Sequence, residues 1–345
     1  MKLSYKERVR RAIQHEAVDR LPTQINYTPA LGENMAQHFG ITLDHLPRYF
    51  GNHLLRVDLS YPVRVSEDGK TKFDWWGVGF STEEEGYFTT VNPLADSQDL
   101  DAYPWPDPHR VDLFEDAACK IAADNGEHFI VPNLGFALFE RAWSLRGFDT
   151  LLMELATDPE FVEELLDRIT EIQLVVIQRY IESGVDAAHF GDDYGAQKNL
   201  LFSPRSWRRL IKPRLAKLFA PFREAGLPVI MHSDGDIRQI LPDLVEIGLT
   251  VYNPVQPEVH DHHWLKQTFG AQLAYYGGIS TQTVLPKGTP NDVKQAVKDC
   301  VRTLSPEQTG LLLAPSHRMM TDIPMVNIEA LLEAFRRING GLSPM

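Results

Sequence analysis

The chain has 345 residues, 43% of them hydrophobic and 23% charged, with a formal net charge of −13, a composition that supports a large buried core. The acidic balance speaks against a nucleic-acid partner and an anionic membrane surface, and no apolar run of about 18 residues is available to span a bilayer. The charged opening MKLSYKERVRRAIQ lacks the apolar stretch of a secretory signal. Cys119 and Cys300 lie in helix-periodic stretches and are expected to be buried free thiols in a cytoplasmic protein.

Eight apolar runs of strand length follow one another: Arg20–Asn26, His53–Ser60, His128–Gly135, Val185–Asp193, Leu227–Gly235, Leu249–Gln256, Leu273–Ile279 and Leu311–His317. They are nearly continuous rather than alternating, as a parallel sheet covered on both faces requires. Helical segments with recognisable starts lie between them. Asp158-Pro159 opens a stretch with Phe161, Leu165, Ile169, Ile172 and Val176 on one face. Ser203-Pro204 and Thr289-Pro290 open two more, and Ile328, Leu331, Leu332 and Phe335 mark the last. The basic stretch Arg205–Lys217 reads as a solvated helix face. Strand alternating with helix eight times predicts a single (β/α)8 TIM barrel over residues 1–345. An open doubly wound sheet would want a glycine-rich phosphate turn after the first strand, and Asn26-Tyr-Thr-Pro-Ala30 is not one.

Residues 61–126 are too long for a simple crossover. They predict an insertion after strand two, a β-hairpin with an extended arm over the barrel mouth, because Pro104, Pro106 and Pro108 cannot continue a helix or central strand. Trp75, Trp76 and Trp105 would either line the pocket or anchor the insertion.

Polar residues gather where the strands end, which in this fold is where the chemistry sits. The ends of strands four to eight read GDDYGAQ (191–197), HSDGD (232–236), NPVQ (253–256), GGISTQ (277–282) and PSH (315–317). Asn133, Tyr194, Gln197, Asn253 and Gln256 at strand ends are the candidate substrate contacts. Asp192 and Asp193 cannot both face the pocket, so one should cap or pair elsewhere. Asp236 is the better cap for a helix starting at Ile237, which frees Asp234 for other work. The tract His260-Asp-His-His263 precedes a helix in what reads as a surface loop.

The ordered motifs GDDYGAQ, SPRSW, IKPRLAKL, MHSDGDI, NPVQP, YYGGISTQ and LAPSH resemble the uroporphyrinogen decarboxylase superfamily. The true decarboxylases carry an arginine-rich N-terminal loop and a Phe-Ser-Asp turn, and neither is present here. The chain looks more like the branch of zinc methyltransferases that work with corrinoid proteins. There the metal is held by a His-x-Cys pair after strand five and a Cys after strand eight. In this sequence the resemblance places His232, Asp234 and His317 at those positions, and all three are plausible zinc ligands. It implies a methyltransferase moving a methyl group from a small methoxylated compound to a separate corrinoid protein, with zinc as Lewis acid. Asp193 and Glu140 are the remaining acids of interest. Glu140 would be a fourth ligand, a general acid or an ion-paired surface group. The alternative is a metal-free decarboxylase or lyase acting through Asp193.

Overall fold

The computed structural model describes residues 3–338. Its parallel strands are β1 (Leu54–Val57), β6 (Phe129–Pro132), β7 (Leu134–Gly135), β8 (Ala188–Gly191), β9 (Val229–His232), β10 (Val251–Asn253), β11 (Ala274–Ile279) and β12 (Leu311–Pro315). Seven of the eight predicted runs hold these strands, each shortened to its buried centre. One ladder runs β7-β8-β9-β10-β11-β12 without a break, and β1 pairs with β6.

The first predicted strand, Arg20–Asn26, is the exception. It makes only an isolated bridge from Thr23 to Leu313, with a second from Tyr27 to Met319. Pro22 has no amide to give a ladder, and side-chain amides take over the pairing with β1. Gln24 Oε1 accepts from Leu54 N at 3.0 Å. Asn52 satisfies both the N–H and the C=O of Ile25 at 2.9 and 3.0 Å. The ladder therefore lacks the regular first strand that the sequence pattern predicts.

On the inner faces of the strands, toward a central lumen, Leu54, Val131, Ile230, Val251, Tyr276 and Leu312 pack as one buried cluster. Val9 of the helix Tyr5–Ile13 belongs to the same cluster, so that helix plugs the end opposite the polar loops. The predicted starts hold on the outside. Asp158 caps Pro159–Glu182 and Ser203 caps the turn from Pro204. Thr289 and Asp292 form a capping box for Pro290–Leu304. The basic stretch is paired rather than merely solvated: Arg208 and Lys212 share Asp243, Arg209 meets Glu163, and Arg214 grips Asp167.

Within residues 61–126 the hairpin expectation gives way to a four-stranded antiparallel meander. Its strands are β2 (Arg64–Val65), β3 (Thr71–Phe73), β4 (Gly79–Ser81) and β5 (Thr89–Val91). The tryptophans anchor it. Trp76 is buried and meets Trp105 edge-on at 6.4 Å, while Arg141 stacks on Trp76 and pairs with Asp74 at 2.6 Å. Three other expectations are corrected. Cys119 is exposed and only Cys300 is buried. The helix after β9 starts at Leu241, so Asp236 caps no helix at Ile237 and instead accepts from Arg238 N at 3.1 Å. His260 is buried against Tyr252 and the Gly235 carbonyl, and it is Asp261 that caps the helix His262–Phe269.

Candidate metal centre

The loops after β8 and β9 are pressed backbone to backbone. A Cβ on Gly195 would lie 2.5 Å from Asp236 N, and one on Gly235 (φ +78°) would lie 2.3 Å from the Gly195 carbonyl carbon. Only glycine at both places allows this approach. The bonds Asp192 N→His232 O (3.0 Å), Tyr194 N→Ser233 Oγ (3.1 Å) and Asp236 N→Ala196 O (2.8 Å) tie the two loops. Asp193 and Asp234 become neighbours as a result, with Asp234 N donating to Asp193 Oδ1 at 2.8 Å.

The two aspartates after β8 divide as alternation requires. Asp192 is fully buried and accepts from Leu138 N, Phe139 N and Glu140 N at 3.2, 2.9 and 2.7 Å, and from Tyr194 OH at 2.7 Å. It serves as the cap of the helix Phe139–Arg146. Burial pushes its carboxyl up to about 6, against the pull of those donors. Asp193 faces the other way, with Oδ1 4.0 Å from His232 Nε2.

His232 is oriented by a buried amide. Asn253 Nδ2 donates to Tyr276 O at 2.9 Å, which turns Asn253 Oδ1 toward His232 Nδ1 at 2.6 Å. Since that oxygen can only accept, Nδ1 carries a proton, and in the neutral ring it is Nε2 that presents a lone pair. His317 is set the same way, its Nδ1 donating to Arg318 O at 3.4 Å. Burial holds its imidazole below the ordinary range, against the pull of Asp234, and so keeps it neutral.

Both free Nε2 atoms face the same carboxylate, His232 at 3.7 Å from Asp234 Oδ1 and His317 at 3.8 Å from Oδ2. The ligand atoms of His232, Asp234 and His317 lie within 4.8 Å of one another. Three acceptors converging in this way are stable only with a cation or proton between them. Ligands about 2.1 Å from one tetrahedral zinc lie roughly 3.4 Å apart, so the set fits a divalent ion with little adjustment. His232 and Asp234 are half-buried and His317 is more open, and one side of the set opens into a cavity of about 220 Å³ lined by Asp234, Gln256, Ser316, His317 and Arg318 among others.

Glu140 stands at the start of the capped helix. Burial, then the fields of Asp193, Asp192 and Asp234, push its carboxyl well above the usual range, so it keeps its proton. Burial also raises Asp193, opposed by His232. The expected substrate contacts scatter. Gln256 lines the cavity, and Asn253 lies behind His232 as its orienting partner. Tyr194 is fully buried and spends its hydroxyl on Asp192, which removes it from the pocket wall. Gln197 is exposed in the turn after β8, and Asn133 is bound to Arg56 and Asp58. Sequence reasoning expected one of the two aspartates to cap or pair elsewhere but named neither Asp192 nor the helix it caps, and it passed over the glycine pair; GDDYG and SDGD, each with glycine after two or three polar residues, were the available signal.

A parallel α/β sheet with its polar side chains gathered past the carboxyl ends of the strands defines a class of enzymes built on strand-end loops. The family described as Uroporphyrinogen decarboxylase (URO-D) matches residues 71–338, and the chain belongs to it. Among curated relatives, uroporphyrinogen decarboxylase of Thermus thermophilus is 26% identical over 181 residues, 50% of this chain and 48% of that protein. The enzyme of Geobacillus kaustophilus is 28% identical over 172 residues, 46% of this chain and 47% of that protein. The chain thus matches about half the length of these relatives. Among solved structures, a methyltransferase from Methanosarcina mazei superposes with a TM-score of 0.71 over 97% of this chain and 99% of its own, at 20% identity, which shows a shared fold. Among the described residues no helix is long and apolar enough to cross a membrane.

Proposed function

We propose that this chain is a zinc-dependent methyltransferase that moves a methyl group from a small methoxylated compound, in the first instance an aryl methyl ether, to cob(I)alamin on a separate corrinoid protein. The reading includes a single (β/α)8 barrel closed through residues 22–24, with the 61–126 insertion at its mouth, working in the cytoplasm. The observation that carries it is the convergence of the Nε2 atoms of His232 and His317 on the two oxygens of Asp234. The fold shared with a methyltransferase over nearly the whole chain supports it.

In such a transfer the methyl carbon–oxygen bond would break, the electron pair of the partner's cob(I)alamin would take up the methyl group, and the departing oxygen would take a proton. Zinc, when bound, supplies Lewis acidity toward that oxygen, more of it from a His/Asp/His set than from one with thiolates. The protein residues do the rest. Asn253 fixes the tautomer of His232, and Asp192 fixes the helix that carries Glu140. Glu140, kept protonated by burial and three carboxylates, holds the proton for the leaving group. Asp193, bonded to the Asp234 amide, stands ready to pass or receive it. No cobalamin motif of the Asp-x-His-x-x-Gly type occurs in the chain, so the corrinoid comes with its partner.

The test supplies a methoxybenzoate and free cob(I)alamin to the zinc-loaded protein and follows the loss of cob(I)alamin absorbance. Methyl transfer should require the metal, vanish on chelation and return with zinc. Turnover by the chain alone, with release of carbon dioxide, would establish the decarboxylase instead.

A further inference from the structure

Arg56 is the third residue of β1, and its side chain shares a face with Leu54, two residues earlier. Leu54 packs in the lumen with Val131 and Tyr276, so Arg56 projects into the same lumen one step nearer the polar mouth. Its charge is felt there by two buried lumen groups, His189 and Tyr276. No salt bridge joins it to a carboxylate among the described residues. It donates one Nη2 bond to Asn133 Oδ1, and Asn133 in turn donates Nδ2 to Asp58 Oδ1 at 2.6 Å.

That relay has a consequence. The neutral amide of Asn133 stands between Asp58 and Arg56 and holds the guanidinium in place without cancelling its charge through direct contact. The Nε and Nη1 donors have no partner among the described residues, and the residue is exposed. A guanidinium held by one edge presents the other as a fork that matches a carboxylate. Beside it, His189 is 6% exposed with Nδ1 lacking any partner, the mark of a polar floor that the chain itself does not complete. Two residues on, Gly191 pairs in register with His232, which connects this floor to the metal set.

We propose that Arg56 is the anion-binding group of the barrel mouth and that the ligand it selects is a small organic carboxylate. The idea deepens the reading above by making the methyl donor a methoxylated acid. It rests on that reading for the methoxy group only, because the carboxylate site stands on Arg56, Asn133 and Asp58 alone.

The experiment is calorimetric titration of 3-methoxybenzoate and of methoxybenzene, its neutral counterpart, into zinc-loaded protein with no cobalamin present. Wild type should bind the acid at least tenfold more tightly, the range of a charge-assisted bond. Arg56→Met and Arg56→Gln should erase that preference with the melting temperature and zinc content unchanged, and Arg56→Lys should restore part of it. Equal binding of the two probes, no binding of the acid, or an undiminished preference in both folded variants overturns the proposal. Methyl transfer is read separately. A carboxylate preference without methyl transfer sinks the methyltransferase reading and leaves this one standing. Methyl transfer that takes neutral and acidic ethers alike does the reverse.

Discussion

At the scale of single residues the site depends on one buried amide. Asn253 is 6% exposed, and its two bonds decide which nitrogen of His232 is free. Asn253→Ala should therefore lower zinc affinity by about 10- to 100-fold, the usual effect of losing a ligand's orienting partner. Competition against a chelator reads this directly, and an unchanged affinity would show that His232 needs no such partner. The acids are tested by isosteric change. Asp193→Asn and Glu140→Gln should each cut methyl transfer by about 100- to 10,000-fold, the range of general acid catalysis, while zinc content holds. The loss should shrink for a donor whose phenol is already acidic. A variant that loses zinc marks its residue as a ligand, and full activity in both would make the pair structural. The division of labour between Asp192 and Asp193 was legible from strand alternation alone. Which of them faced inward was not, because it depends on a helix 50 residues away whose amides Asp192 caps.

At the scale of elements, most local signals predicted well, the Asp236 cap excepted, and long-range contacts did not. The three Pro-containing helix starts at residues 158, 203 and 289 all form caps, since a cap needs only neighbours in sequence. Arg20–Asn26 stood first among the predicted strands, yet Pro22 and the side chains of Gln24 and Asn52 give it a different pairing. The Gly195–Gly235 contact joins two loops 40 residues apart, and nothing in either loop names the other. Its importance is open to measurement. Gly195→Ala places a methyl group against backbone rather than a flexible side chain, so it should destabilise the fold by about 1–3 kcal/mol. It should also separate Asp193 from Asp234 and weaken metal binding. A urea midpoint and zinc affinity equal to wild type would show that the loops can part at no cost.

At the scale of the whole molecule, the order of strands and helices was readable because parallel strands and their covering helices leave repeated patterns along the chain. The insertion was readable only as an interruption. Three of its four short strands carry only exposed and half-buried residues, so their periodicity is faint, and Trp76 gave no sign that Arg141 would stack on it. The candidate site lies between: β9 and β12 were predicted to end in His232, Asp234 and His317, and folding brings those three side chains together. What folding adds is the tautomer of each histidine and the carboxylate that both of them face.

That convergence is also where the account is most exposed. Zinc should be measured by elemental analysis in the purified wild-type protein and in His232→Ala, His317→Ala and Asp234→Ala, each checked for an unchanged fold by circular dichroism. The account predicts about one zinc per chain in the wild type, none in either histidine variant and a reduced content in Asp234→Ala, whose carboxylate water replaces most readily. Metal-free protein that still transfers methyl groups, or histidine variants that keep a full complement of zinc, would contradict it.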